Sequence, residues 1–141
     1  MSEHYRKLER MYLAAPVNEL YLPTIAISEG RATVEFEVRE QFFHAAHALH
    51  GSVYFKALDD SAFFAAASVV PDRFVVTVSF TVYLTRPVTG GALRAEGQVT
   101  SQTTNLLVAE SVLYNGDREV ARGSGTFMPS KVALNTALGY E

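Results

Sequence analysis

The chain has 141 residues, 48% of them apolar, and a formal net charge of −3 at pH 7; that length suits one domain with its own core. The acidic balance, with no run of Lys and Arg, argues against nucleic acid or an anionic membrane as partner. Lack of cysteine excludes disulfides, thiolate catalysis and cysteine-ligated zinc, and with no apolar signal core over residues 1 to 7 and no bilayer-length apolar run, a cytoplasmic protein is expected.

Tyr5, Leu8 and Tyr12 recur at helical spacing and Pro16 stops the pattern, which predicts a short helix over about residues 4 to 14. A connection follows, through Asn18 to Pro23. Ala32, Val34, Phe36 and Val38 then alternate with Arg31, Thr33, Glu35, Glu37 and Arg39, the pattern of a strand with one wet and one dry face. Residues 52 to 70 are too long for one strand and rich in alanine. They read as a helix with Ser52 as N-cap and Phe55, Leu58, Ala62, Ala65, Ala66 and Val69 in one stripe. Much of the rest of its surface is also apolar, as in a buried helix, and Pro71 and Asp72 break it.

Strands make up the remainder. Val76, Val78, Phe80, Val82 and Leu84 alternate with Thr77, Ser79, Thr81 and Tyr83, and Leu93, Ala95 and Val99 with Arg94, Glu96 and Gln98. Residues 106 to 114 form an apolar run closed by an Asn115-Gly116 hairpin signal. A last strand covers 120 to 128, where Gly123 and Gly125 allow close approach of a neighbour, and 129 to 141 look like a tail. The pattern predicts one α+β domain over residues 1 to 141, with a core of about 24 to 128: a curled antiparallel sheet wrapped around one long central helix. The uncovered edges of such a sheet predict oligomerisation.

The chemistry gathers at the front of that helix, where His44, His47 and His50 lead into Gly51-Ser52. Free backbone N–H groups and the helix dipole make this a candidate oxyanion hole or anion site, and Gly51 lets a carbonyl approach without a Cβ in the way. An ordinary capped helix entry has the same residues. Asp59 borders the dry stripe and Asp60 lies further round; a carboxylate there is either satisfied locally or chemically active. Gly51 and Asp59 are about 12 Å apart along the axis. Action on one bond therefore needs Asp59 from one subunit and Gly51 from another. The three histidines lack a matching carboxylate set, so no metal site is expected, and no nucleophile elbow, Walker loop or dinucleotide fingerprint occurs.

His50-Gly51-Ser52 followed nine positions past His50 by an acid on a buried helix, together with the strand 77 to 87 ending in Arg86-Pro87, resembles the hotdog-fold acyl-CoA thioesterases, in particular their phenylacetate-degradation (PaaI-like) branch. That family has an Asn, a loop, His-Gly-Gly and then Asp or Glu on the central helix. The resemblance covers roughly residues 30 to 128 and implies a hotdog fold that hydrolyses an acyl-CoA thioester without a cofactor, CoA being part of the substrate. It places the family's carboxylate on Asp59, as general base or nucleophile toward the thioester carbon; a one-residue shift would select Asp60. It gives Gly51 the oxyanion N–H and puts Thr77 where relatives hold water or the carboxylate. The family's Asn falls on His44, which would orient water or the carbonyl, and its second glycine falls on Ser52, which with His50 forms the substrate-binding turn. Both departures leave the manner of water activation and the acyl range open. Arg86 and Arg122 are candidates for the CoA phosphates. A homodimer with composite sites, or a homotetramer, is implied. Two other readings use the same residues: an enoyl-CoA hydratase or dehydratase pairing His44 or His50 with Asp59, and a non-catalytic acyl-CoA binding protein.

Overall fold

The computed structural model describes residues 2–141. Helix α1 (Ser2–Ala14) and the single turn α2 (Asn18–Tyr21) precede strands β1 (Thr24–Ser28) and β2 (Arg31–Glu37), the long helix α3 (Gly51–Ser68), and then β3 (Arg73–Leu84), β4 (Ala92–Gln102), β5 (Leu107–Asn115) and β6 (Arg118–Ala133). The six strands form one antiparallel sheet in the order β1-β2-β4-β5-β6-β3. Helix α3 touches every strand of it, which is the expected wrapping of a curled sheet around one central helix.

The small residues of α3 explain how close the wrapping is. Ala57, Leu58, Ala62, Ala65 and Ala66 are all at most 1% exposed; alanine favours the helix while adding little bulk. Gly97 on β4 meets the helix backbone directly, since a Cβ there would lie 2.2 Å from the Ser61 carbonyl oxygen. The polar groups brought inside are satisfied: the Ser61 and Ser111 hydroxyls both donate to the Leu58 carbonyl, at 3.1 and 2.9 Å. On the inner face of β6, Gly123 and Gly125 carry the Phe80 ring, which an added Cβ would meet at 2.3 Å, so the glycines of β6 do admit a neighbour.

Several expectations are corrected. Helix α3 starts at Gly51, and His50, not Ser52, caps it: the extended His50 places Nδ1 3.0 Å from the Ser52 N–H, which donates to it. An imidazole nitrogen in this position does what the oxygen of Asn or Asp does elsewhere. Phe55 is not in the buried stripe; it is 41% exposed and meets Phe80 edge-on at 5.6 Å. A strand before β2, unseen in the periodicity, is β1, joined to β2 through Gly30 at φ +68°. The connection after Pro16 contains α2. Strand β6 continues past Met128 to Ala133, and a 3₁₀ turn at Thr136–Leu138 follows. This last segment is fastened to α1, where the buried His4 ring meets the Tyr140 hydroxyl at 2.7 Å and donates to the Ala67 carbonyl at 3.0 Å.

Strand β3 also breaks the simple alternation. Thr77 pairs with Phe127 and Ser79 with Thr126, so Val78 is an extra residue, a β-bulge. Before it, Val75 and Thr77 share the inner face with the fully buried Phe127; after it, Phe80 takes that face. Val76 and Val78, expected to continue the dry face, are 41% and 55% exposed. Bulges re-aim side chains, and this one turns Thr77 toward α3.

Candidate active site

Asp59 and Asp60, neighbours on α3, stand in different surroundings along one cavity. The cavity has a volume of about 540 Å³. Its walls come from α1 and the following turn (Met11, Tyr12, Val17), from α3 (Phe63, Phe64), from Phe74 of β3 and from the C-terminal 3₁₀ turn (Leu138). Asp59 and Thr77 are its polar edge, together with Lys56, Asp60 and Asn18. Aromatic and aliphatic walls with a few convergent polar groups are the usual make-up of a small-molecule site.

Asp60 is held through its Oδ2 by its own neighbours. It forms an ion pair one helical turn back with Lys56 and accepts the Tyr12 hydroxyl at 2.6 Å. Lys56 also donates to Asn18 Oδ1 at 2.8 Å, and its ammonium lies 5.1 and 5.0 Å from the ring centres of Tyr12 and Tyr21. Burial first, and then the Asp60 charge, push the Tyr12 hydroxyl far up, so it stays a donor. The structure thus separates the two acids that an alignment shift could exchange.

Asp59 has no cation as a direct partner among the described residues. Thr77 Oγ1 donates to its Oδ1 at 3.0 Å. Burial raises the Asp59 carboxyl to about 6; the Thr77 bond opposes that rise, the Asp60 charge adds to it, and Lys56 opposes it. Two adjacent carboxyl groups with divergent surroundings are a recurrent sign of acid–base function.

The remaining candidates lie elsewhere. His44 and Gly51 share a cleft of about 350 Å³ with Leu49, Tyr54, Leu84 and Arg86. His44 is held by its turn: its Nδ1 accepts the Ala46 N–H at 3.0 Å, and His47 closes the loop at φ +64°. That leaves Nε2 as the donor of a neutral His44 ring. The Gly51 N–H has no acceptor among the described residues, while its neighbour Ser52 N–H is taken by His50. His50 and Ser52 line a third hollow beside Tyr21 and Phe43, their side chains bonded to each other at 2.8 Å. Arg122 is held by Glu119 through two bonds, at 2.6 and 2.9 Å, whereas Arg86 borders the His44–Gly51 cleft. Within one copy, therefore, the carboxylate pair and the helix tip lie in separate cavities. The sequence reading missed Lys56, Tyr12 and Asn18. The Lys56–Asp60 spacing of four on a helix was its readable signal.

The model of the thioesterase superfamily matches residues 46–122. A Saccharolobus solfataricus protein provisionally named an esterase is 25% identical over 135 residues, spanning 94% of this chain and 93% of its own. A conserved protein from Pseudomonas aeruginosa superposes with a TM-score of 0.80 at 26% identity, over 86% of this chain and 98% of that one. The Escherichia coli PaaI protein of the phenylacetic acid degradation operon does so with a TM-score of 0.85 at 21% identity, over 95% and 98%.

Proposed function

Because the chain belongs to the thioesterase superfamily and has its hotdog fold, we propose that it hydrolyses acyl-CoA thioesters in a composite site, with Asp59 as general base and the Gly51 N–H of a second copy as oxyanion donor. The observation that carries this reading is the state of Asp59: among the described residues, a carboxylate without an ion-pair partner and bonded only by Thr77, on the rim of an apolar cavity. A base with a proton affinity near neutrality is well matched to abstracting a proton from water.

In the reaction, the water oxygen attacks the thioester carbon as Asp59 takes its proton, and the carbonyl electron pair moves to the oxygen held by the Gly51 N–H. His44 orients the carbonyl or the water through Nε2, and His50 and Ser52 hold the turn that presents Gly51. Collapse of the tetrahedral intermediate breaks the C–S bond, and the thiolate of CoA recovers the proton from Asp59. The apolar cavity suits an uncharged acyl group, and its position beside Asp59 supports that orientation.

Strand β3 supports the second copy. It is an edge of the sheet with exposed Val76, Val78, Tyr83 and Leu84, an arrangement that monomers avoid. Its Thr77 bonds Asp59, while its Leu84 lies beside Gly51, 3.3 Å from where a Cβ would stand. Antiparallel pairing of two β3 edges about a twofold axis brings the Thr77 end of one to the Leu84 end of the other, and so joins the half-sites.

Thiol release from a panel of aromatic and aliphatic acyl-CoAs tests the proposal. Turnover of at least one, lost in Asp59→Asn, is expected. No turnover on any, or full activity in Asp59→Asn, overturns it.

A further inference from the structure

Lys56 has no part in the reaction just described, yet it is a half-buried cation on the wall of the Asp59 cavity. Its ammonium donates to the Asp60 carboxylate and to Asn18 Oδ1, and lies against the rings of Tyr12 and Tyr21. The pair it makes with Asp60 is no ordinary surface i,i+4 contact, since both side chains are only 14% and 16% exposed. Charge in such a place acts on its neighbours with little screening.

We propose that Lys56 is a positioning residue for Asp59: by holding and neutralising Asp60, it leaves Asp59 as the single net charge facing the cavity among the described residues. Without the cation, two adjacent carboxylates would share one half-buried wall, and the second of their two protons would leave only at higher pH. The groups facing Asp59 are few. Helix α3 contributes Lys56 and Asp60, α1 contributes the Tyr12 hydroxyl, β3 contributes the neutral Thr77, and α2 contributes Asn18; the C-terminal turn brings Ala137, Leu138 and Gly139, with no titratable side chain. The causes acting on the Asp59 carboxyl have the signs this requires, with Asp60 raising it and Lys56 lowering it. The same ammonium joins α3 to α2 through Asn18, whose amide donates to the Tyr12 carbonyl at 2.7 Å, so it also fixes the wall opposite Asp59.

The inference rests on Asp59 acting as base, and the test separates the two. The acid limb of kcat/KM is followed in Lys56→Met, Lys56→Arg, Asp60→Asn and the Lys56→Met/Asp60→Asn double variant, with the Asp59 carboxyl read directly by carbon NMR in each. Lys56→Met moves the limb up by about one unit, Lys56→Arg leaves it in place, Asp60→Asn moves it down, and the double variant returns it toward the parent. Should Lys56→Met fail to fold, the downward shift in Asp60→Asn carries the test alone. A limb and a carboxyl titration unmoved in the single variants overturn the inference, even while Asp59→Asn still abolishes turnover. Full activity in Asp59→Asn instead overturns the functional reading.

Discussion

Thr77 Oγ1 donates to Asp59 Oδ1 at 3.0 Å across the space between the edge strand and the central helix, and the bulge at Val78 is what aims it there. A hydrogen bond to an ionised group favours the ionised form, so Thr77 restrains the rise that burial imposes on Asp59. Thr77→Val is expected to move the acid limb of kcat/KM up by about one unit, and Thr77→Ser to leave it near the parent position. Steady-state kinetics from pH 4.5 to about 9 read the shift. A limb unmoved in Thr77→Val would show that Asp59 is not the titrating group.

The same carboxyl has a cost in stability with a definite pH dependence. Burial raises its pKa in the folded state to about 6, above the ordinary 3.8 of an aspartate, so the folded chain holds that proton more tightly than the unfolded one. The contribution favours folding below about pH 4 and is lost as pH rises through about 6. Asp59→Asn keeps an oxygen for Thr77 and removes the charge. It should therefore be more stable than the parent by about 2 kcal/mol at pH 8, with the difference vanishing near pH 4. Denaturant unfolding at the two pH values checks this. Equal stabilities at pH 8 would mean that Asp59 is better solvated than its surroundings indicate.

The fold and half of the site could be read from the chain because they rest on local chemistry. The alanine-rich stretch around Ala62 and Ala65 has only one way to be apolar nearly all round, inside a sheet, and it is found there. The glycines at 123 and 125 signalled a close neighbour, which is Phe80. What escaped depends on long-range contact. Nothing local to Val78 marks it as a bulge, and nothing near His50 says that an imidazole will cap the helix in place of the Ser52 hydroxyl. The Tyr12–Asp60 bond joins residues 48 apart, and no periodicity within one segment could point to it. Gly51 and Asp59 were legible as candidates, and the helix rise already set them about 12 Å apart; which side chains wall the two clefts they occupy appears only in three dimensions.

Close contact between β4 and α3 makes Gly97 a sensitive point of the core. A Cβ there would stand 2.2 Å from the Ser61 carbonyl oxygen and 2.7 Å from the Ala62 nitrogen. Both are backbone atoms, so no side chain can swing away. Gly97→Ala must push the helix from the sheet, at about 3 kcal/mol, and should lower the thermal midpoint by about 10 °C. Gly90→Ala, where a Cβ meets nothing within 4 Å, serves as the control and should change little. Thermal melts by circular dichroism compare them; a Gly97→Ala midpoint like that of the control would show that the contact relaxes freely.

Division of the site between copies can be tested by mixing. If Asp59 and Gly51 act on one bond only across the interface, heterodimers of Asp59→Ala with a Gly51 variant contain one intact composite site and one doubly damaged site. Unfolding and refolding the two inactive proteins together should restore about a quarter of the parent activity at equal mixing, since half of the dimers are mixed and each of those has one good site. Activity that stays at the level of the separate variants would place both residues in the same copy's reaction centre.

Gly51 itself offers a way to remove the oxyanion donor without disturbing the helix. It is the first residue of α3, its N–H bonds nothing among the described residues, and His50 before it is extended, at φ −66° and ψ 142°. Proline is at home in such a position: it needs an extended predecessor, and the N–H it lacks is one the helix does not use. The nearest obstacle is the end of the half-exposed Leu84 side chain, which is free to turn aside. Gly51→Pro should thus fold with parental circular dichroism and thermal midpoint while losing about a hundredfold or more in kcat, the usual effect of deleting one oxyanion donor. Gly51→Ala, which keeps the N–H, should lose far less. Because the loss falls on the transition state, KM should stay close to the parent value in Gly51→Pro. Undiminished kcat in a folded Gly51→Pro protein would remove the helix tip from the chemistry and leave Asp59 to act with some other donor.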